Sequence, residues 1–221
     1  MWGSRMITTN RRSIISFYVI YTTVLSLLIA TVFGRSLGEI SAWLFVIPKV
    51  ITIQLFTVIL FNNSLWKLKI FRKWLVTFPD LTGTWLGSLQ SSYVNPETNE
   101  RVDTIACMLV IQHKFKKIHL NLHTGESISY SFSEEINFDP ERNLKRLSYS
   151  YTNEPRTLLD YRSNSHKGTV ILNLIDGNKL KGYYYTDRST KGELEFTFKT
   201  KKLMDKLPEN CVHHPMDEAS S

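Results

Sequence analysis

The chain has 221 residues, 27 Lys/Arg against 20 Asp/Glu, 43% hydrophobic residues and a formal net charge of +7. The charge excess sits at one end: residues 1–79 hold nine bases and one acid, Glu39, whereas residues 80–221 hold 18 bases and 19 acids. A near-neutral C-terminal part excludes a basic nucleic-acid surface as the meaning of the overall charge, so no direct DNA or RNA binding is expected. Two cysteines, Cys107 and Cys211, suggest no disulfide framework.

Residues 13–33 and 42–61 form two apolar runs separated by the short polar stretch 34–41. Each approaches the ~20 residues that a helix needs to cross a hydrocarbon core. A signal peptide has an apolar core of about 7–15 residues; the first run is longer and a second follows at once. Residues 1–79 therefore read as a two-span transmembrane anchor. Pro48 and Lys49 lie inside the second run. Pro48 kinks or locally opens a helix. Lys49 either snorkels to the outer interface or faces a neighbouring helix or wet cavity once several copies assemble. Arg5, Arg11 and Arg12 precede the first run, and the basic belt Lys67, Lys69, Arg72 and Lys73 follows the second. The loop between them carries only Arg35 beside Glu39. The positive-inside rule then places both chain ends in the cytoplasm, a compartment in which unpaired cysteines are ordinary.

From residue 81 onward the pattern changes to period-two alternation, rich in β-branched and aromatic residues. Eight strands are predicted, over 81–92, 104–113, 117–123, 126–137, 144–152, 168–175, 179–186 and 192–201. The separators are turn residues, with Asp176-Gly177 a tight-hairpin signal. The one long connection, 153–167, is polar and suits a rim or lid. Short strands with no helical period between them imply an antiparallel meander. The fold predicted is a membrane-anchored all-β one, with an eight-stranded antiparallel up-and-down β-barrel over 80–207 and a disordered tail over 208–221. A two-sheet sandwich fits the same pattern.

Ile118/Leu120/Leu122, Leu147/Tyr149/Tyr151, Val170/Leu172/Leu174 and Leu194/Phe196/Phe198 are expected to face inward. In the fourth strand the same logic puts Ile128, Tyr130 and Phe132 inside, leaving Ser127, Ser129, Ser131 and Ser133 in water. A polar pocket would invert that assignment locally.

The chain carries no nucleophile elbow, no phosphate-binding glycine loop ahead of a helix and no carboxylate-rich metal cluster, so neither an enzyme nor a metal or cofactor is expected. His113, His119 and His123 have no carboxylate or cysteine at ligand spacing, and a solvated strand face explains them better. The segment 182–192 carries more information. Alternation puts Gly182, Tyr184, Thr186 and Arg188 on one side: a ring for a base, a hydroxyl for a polar edge, a guanidinium for a phosphate. Tyr149 and Tyr151 add stacking surface, and Ser165-His166-Lys167-Gly168 adds a cation and a close-approach glycine.

The segment Pro79-Asp80-Leu81-Thr82-Gly83-Thr84-Trp85-Leu86-Gly87, entered directly from a two-span anchor, resembles the two-transmembrane β-barrel effectors of bacterial cyclic-oligonucleotide anti-phage signalling (CBASS). The resemblance continues through Ile111-Gln112, 124–131, 149–155, 166–169 and 182–192; Leu86 departs from it at an outward position. It implies a barrel that receives a cyclic dinucleotide from a cognate nucleotidyltransferase. It also implies self-association on activation, clustering of the membrane helices among lipid, loss of inner-membrane integrity and abortive infection. Such a ligand carries two negative charges, so a near-neutral barrel needs placed cations. Arg188 is the first candidate for a phosphate, with Lys191 and His166 behind it. Tyr149, Tyr151 and Tyr184 are candidates for base stacking, and Ser127, Ser131, Thr186 and Gln112 for base edges or ribose hydroxyls. Trp85 reads as a plug at one barrel end. The alternative is a tethered lipocalin-like carrier or scaffold for an apolar ligand, since Gly83-x-Trp85 opens strands in that group as well.

Overall fold

The structure is a computed structural model and describes residues 11–71, 76, 78–94, 99, 101–139, 141–157 and 164–208. The chain divides into two compact units, one containing both helices and the other the strands, with the change at Pro79/Asp80.

In the helical unit α1 spans Arg11–Val32 and α2 spans Ile40–Asn63. Both are long and apolar enough to cross a membrane. The two helices pack through Ile29, Ala30, Val46 and Val50. Two polar contacts add to this seam: Gln54 Nε2 donates to Thr22 Oγ1 at 2.5 Å, and the Tyr21 and Thr57 hydroxyls lie 2.8 Å apart. Such interhelical bonds are worth about 0.6–2 kcal/mol each in an apolar medium. The outward faces stay apolar and exposed. Helical geometry continues through Pro48. Lys49 folds back one turn, its Nζ donating to the Phe45 carbonyl at 3.3 Å and lying over the Phe45 ring. That is the direction of a snorkelling lysine, toward the end of α2 that adjoins the loop. Trp66 and Val76 are buried together beyond α2, with Phe61 and Phe71 packed on them. Of the basic belt, Lys67 and Lys69 fall in two short 3-10 turns, and Arg72 and Lys73 lie outside the described residues.

The second unit is a closed antiparallel barrel. Its strands are β1 Gly83–Ser91, β2 Ile105–Lys114, β3 Lys117–His123, β4 Ser127–Asp139, β5 Leu144–Pro155, β6 His166–Ile175, β7 Lys179–Thr186 and β8 Lys191–Thr200. Each pairs with the next, and β1 closes on β8 through pairs such as Leu89↔Leu194 and Gly87↔Phe196. Closure removes both sheet edges, and the sandwich alternative does not hold. The β6–β7 hairpin turns at Asp176 (φ 50°) and Gly177 (φ 75°), the two positive-φ residues of a primed turn.

The expected inward faces of β3, β5, β6 and β8 are buried, from Ile118 and Leu120 to Leu194 and Phe196, except that Leu174 and Phe198 near the strand ends are half-buried. Each such side chain contributes about 1.5–3 kcal/mol relative to exposure. Trp85 closes one barrel end: it is 2% exposed, donates Nε1–H to the Leu81 carbonyl at 3.1 Å and stands edge-on to Phe198. Two expectations are corrected. In the first part of β4 the assignment is inverted: Ser129 is buried and Ser127 half-buried, while Tyr130 and Phe132 are 41% and 59% exposed; Ser133 is exposed as expected. The β4–β5 register shifts between Ser131 and Ser133, and beyond this bulge Ile136, opposite Leu147, is the buried residue. Second, β5 and β6 run further than alternation suggested, to Pro155 and from His166, so Asn153 pairs with His166 as strand. The long connection shrinks accordingly; its residues 158–163 lie outside the described part, as does the expected tail beyond Pro208.

Candidate ligand-binding site

At the end of the barrel where β1, β3, β5 and β7 terminate, the interior holds a cavity of about 310 Å³. That is within the ~300–1,000 Å³ usual for small-molecule sites. Leu89 of β1, Ile105 of β2 and Leu122 of β3 form an apolar wall. Opposite them stand the rings of Tyr151 and Tyr184. Between lies a polar strip: Thr124, Ser127 and Ser129 entering β4, and Asn153 leaving β5. Thr186, Arg188 and Thr190, with His166, complete the rim, and Glu126 is the one carboxylate among the described lining residues.

Local structure positions these groups. The β7–β8 turn is closed by Thr186 N–H to the Thr190 carbonyl, and the Arg188 N–H donates to Thr186 Oγ1. Asp187 pins the turn to β6, its N–H donating to the Lys167 carbonyl and its Oδ2 accepting from the Lys167 N–H. Arg188 is thereby presented at the rim, exposed, with one guanidinium N–H on the Asn164 carbonyl. Tyr151 occupies space that Gly168 leaves free across the β5–β6 pair: a Cβ at Gly168 would stand 2.6 Å from the Tyr151 Cζ. Tyr184 donates its phenol to Ser91 Oγ at 2.9 Å.

Burial pushes the phenols of Tyr151 and Tyr184 above the ordinary tyrosine range, so both remain protonated hydrogen-bonding groups at neutral pH. His166 is pushed below its usual range, first by burial and then by the Arg188 charge, against the opposing pull of the Asn164 carbonyl and Asp187. Among the described lining residues Arg188 therefore carries the positive charge at neutral pH, and the neutral form of His166 is favoured.

Six of the ten residues predicted from sequence line this cavity: Arg188, Thr186, Tyr184, Tyr151, His166 and Ser127. The other four lie outside it. Tyr149 is buried beneath Tyr151, ring centroids 6.2 Å apart, and its phenol has no hydrogen-bond partner among the described residues. Ser131 accepts from the Leu120 N–H and donates to Glu134, so its hydroxyl is spent on the barrel wall. Gln112 alternates with buried Ile111 and His113 and is exposed. Lys191 is exposed on β8 opposite Tyr185, the strand parity turning it away from the interior. Of the three histidines set aside above, His119 is exposed and meets Glu134 at 3.3 Å, and His123 is half-buried; His113 departs from the solvated-face expectation, being buried and accepting from the Leu81 N–H. Sequence reasoning missed Ser129, Asn153, Thr124 and Thr190. The parity of Tyr149 and Tyr151 carried one step further finds Asn153, but Pro155 reads as a strand terminator.

The barrel is thus closed and eight-stranded, with an end-on cavity of rings, hydroxyls, an amide and a guanidinium, in a chain that also carries two apolar helices. Residues 76–198 match the family described as Cap15, cyclic dinucleotide receptor domain, and the chain belongs to that family. It is similar to CD-NTase-associated protein 15 of Staphylococcus schleiferi, with 25% identity over 172 residues, 78% of this chain and 88% of the relative. Family membership bears out the sequence resemblance to CBASS cyclic-dinucleotide-sensing effectors. The family is one of receptors rather than of enzymes.

Proposed function

We propose that the chain is an anti-phage defence effector whose barrel takes a cyclic dinucleotide into the end cavity, self-associates on binding and disrupts the inner membrane through α1 and α2. The observation that carries this reading is the convergence of Tyr151, Tyr184, His166 and Arg188 on one cavity in a member of a cyclic dinucleotide receptor family. The rings supply stacking faces and the guanidinium supplies paired N–H donors for a phosphate. Both helices have the length and composition of spans, and the basic flanks favour a cytoplasmic barrel. Synthase output would then reach the site directly. Self-association brings the apolar hairpins together in lipid, and the infected cell dies before phage matures. An apolar carrier fits less well, because the cavity is lined by hydroxyls, an amide and a cation as well as by Leu89, Ile105 and Leu122.

The test is Arg188→Ala in full-length protein, with binding measured by calorimetry and dye release measured from liposomes. Charge-assisted bonds are worth about 1.5–3 kcal/mol, so affinity falls by roughly ten- to a hundredfold while membrane insertion is unchanged. Undiminished binding removes Arg188 from the site. Liposomes that stay sealed with every cyclic dinucleotide bound overturn the disruption mechanism.

A further inference from the structure

We infer that two copies of this chain share one cyclic dinucleotide, mouth to mouth, each barrel taking one base and one phosphate; this rests on the cyclic-dinucleotide reading above. Trp85 closes one end of the barrel, so a ligand enters and leaves by the cavity end. The groups there are sorted by depth. Tyr151, Tyr184, Ser129 and Asn153 line the cavity and are buried. Arg188 belongs to the turn beyond the last residue of β7; it is exposed and held at the rim by the Asn164 carbonyl. Rings and hydroxyls inside suit a base, and the cation at the rim suits a phosphate. A nucleotide seated by both leaves its sugar–phosphate ring at the mouth.

A cyclic dinucleotide repeats base, ribose and phosphate around one ring, and in its extended form the two bases point to opposite sides. With one base inside, the other projects out of the barrel. Volume gives the same answer: about 310 Å³ is the liquid volume of roughly ten waters, room for one base and part of its ribose but not for two nucleotides. Among the described lining residues there is also one guanidinium for two phosphates. A second copy supplies what is missing. The ligand's two-fold axis carries the same rings, hydroxyls and guanidinium onto the outer base and the other phosphate, an isologous pairing. Two guanidiniums then stand against two phosphates; without a ligand between them, the two mouths would set like charges against each other. Tyr93 at the mouth and Val94 beside it, 40% and 41% exposed, are covered in the pair. Self-association thereby becomes a direct consequence of ligand binding.

The experiment titrates the full chain in detergent micelles with cyclic di-AMP, cyclic di-GMP and cyclic di-UMP. Calorimetry reads the stoichiometry, and energy transfer between two dyes reads contact between copies. A probe that binds is expected to saturate at about one ligand per two chains. Energy transfer is expected to rise up to that ratio and to fall again in excess ligand, because every mouth then holds a ligand of its own. The matching mononucleotides, each half a ligand, compete for the mouth and lower energy transfer without raising it on their own. Saturation at one ligand per chain, or energy transfer that stays high in excess ligand, overturns the shared ligand and leaves the receptor reading standing. A chain that binds none of the three cyclic dinucleotides overturns both.

Discussion

The phenol of Tyr184 on β7 reaches past β8 to donate a hydrogen bond to the hydroxyl of Ser91 on β1, 2.9 Å away. A ring of the cavity wall is thereby tied to the strand that closes the barrel. Burial raises the phenol's pKa and keeps the donor proton in place. Tyr184→Phe is expected to lose about 1 kcal/mol of stability, the usual net value of one such bond. Thermal denaturation should register a drop of a few degrees. If the ring stacks on a base, Tyr184→Phe retains most ligand affinity, whereas Tyr184→Ala loses about ten- to a hundredfold.

Gly168 is the close-approach glycine that the sequence suggested, and it has a specific duty. A Cβ there would meet the Tyr151 Cζ and the Tyr185 carbonyl, each at 2.6 Å. The ring can move only toward the cavity, and the carbonyl belongs to the β6–β7 pair and can hardly move. Gly168→Val is expected to cost about 1–3 kcal/mol through overpacking and to reduce ligand binding more than Lys191→Ala, which alters an exposed position outside the cavity. Calorimetric titration of both variants checks the order.

Binding of an anionic ligand in this cavity is expected to depend on pH through His166. In the empty site burial and Arg188 hold its pKa below the usual value, so it is neutral at pH 7. A phosphate beside it raises that pKa, so the bound state takes up a proton that the free state lacks. Affinity is therefore expected to rise as pH falls through the window between the bound and free pKa values, and to level off below the free one. His166→Gln should flatten the profile between pH 8 and 5.5. A wild-type profile already flat over that range would show that no phosphate lies against His166.

Asp80 and Lys201 staple the barrel seam from outside the strands. Asp80 Oδ1 accepts the Thr82 N–H at 2.9 Å ahead of β1, and Oδ2 meets Lys201 Nζ at 3.1 Å just after β8. Burial alone would raise the Asp80 pKa, but the bonds from Thr82 and Lys201 together hold it below the ordinary carboxylate range. A depressed folded pKa contributes stability that is present above the unfolded value and lost as pH falls through the folded one. Asp80→Asn is expected to lose about 1 kcal/mol at pH 7, a modest figure because Lys201 is largely in water. The deficit relative to wild type should shrink below about pH 4. Urea unfolding at pH 7 and pH 3 measures both.

Much of the fold was legible because its signals are local. Each of the eight strands has its own alternation, and the β6–β7 turn has its Asp176-Gly177. The cavity was legible along β7 and its turn, where Tyr184 and Thr186 share one strand parity, Arg188 follows in the turn, and all three line it. It was illegible where two parities compete. In β4, apolar content pointed Tyr130 and Phe132 inward, but Ser127 and Ser129 border a cavity rather than a packed core, so this stretch of the interior holds small side chains and leaves the rings outside. Gln112 and Lys191 suited a nucleotide by residue type, and strand parity turns both outward.

The division near residue 80, the two apolar helices and the eight-strand count are all written locally in the chain, since hydrophobic run length and periodicity depend only on neighbouring residues. Which serines face the cavity, how far β5 extends past Tyr151, and the meeting of Asn153 with Ser129 emerge only in the folded barrel. Those outcomes depend on barrel closure. Which strand ends enclose empty space, and which side chains must fill it, is set by residues that lie far apart in the chain.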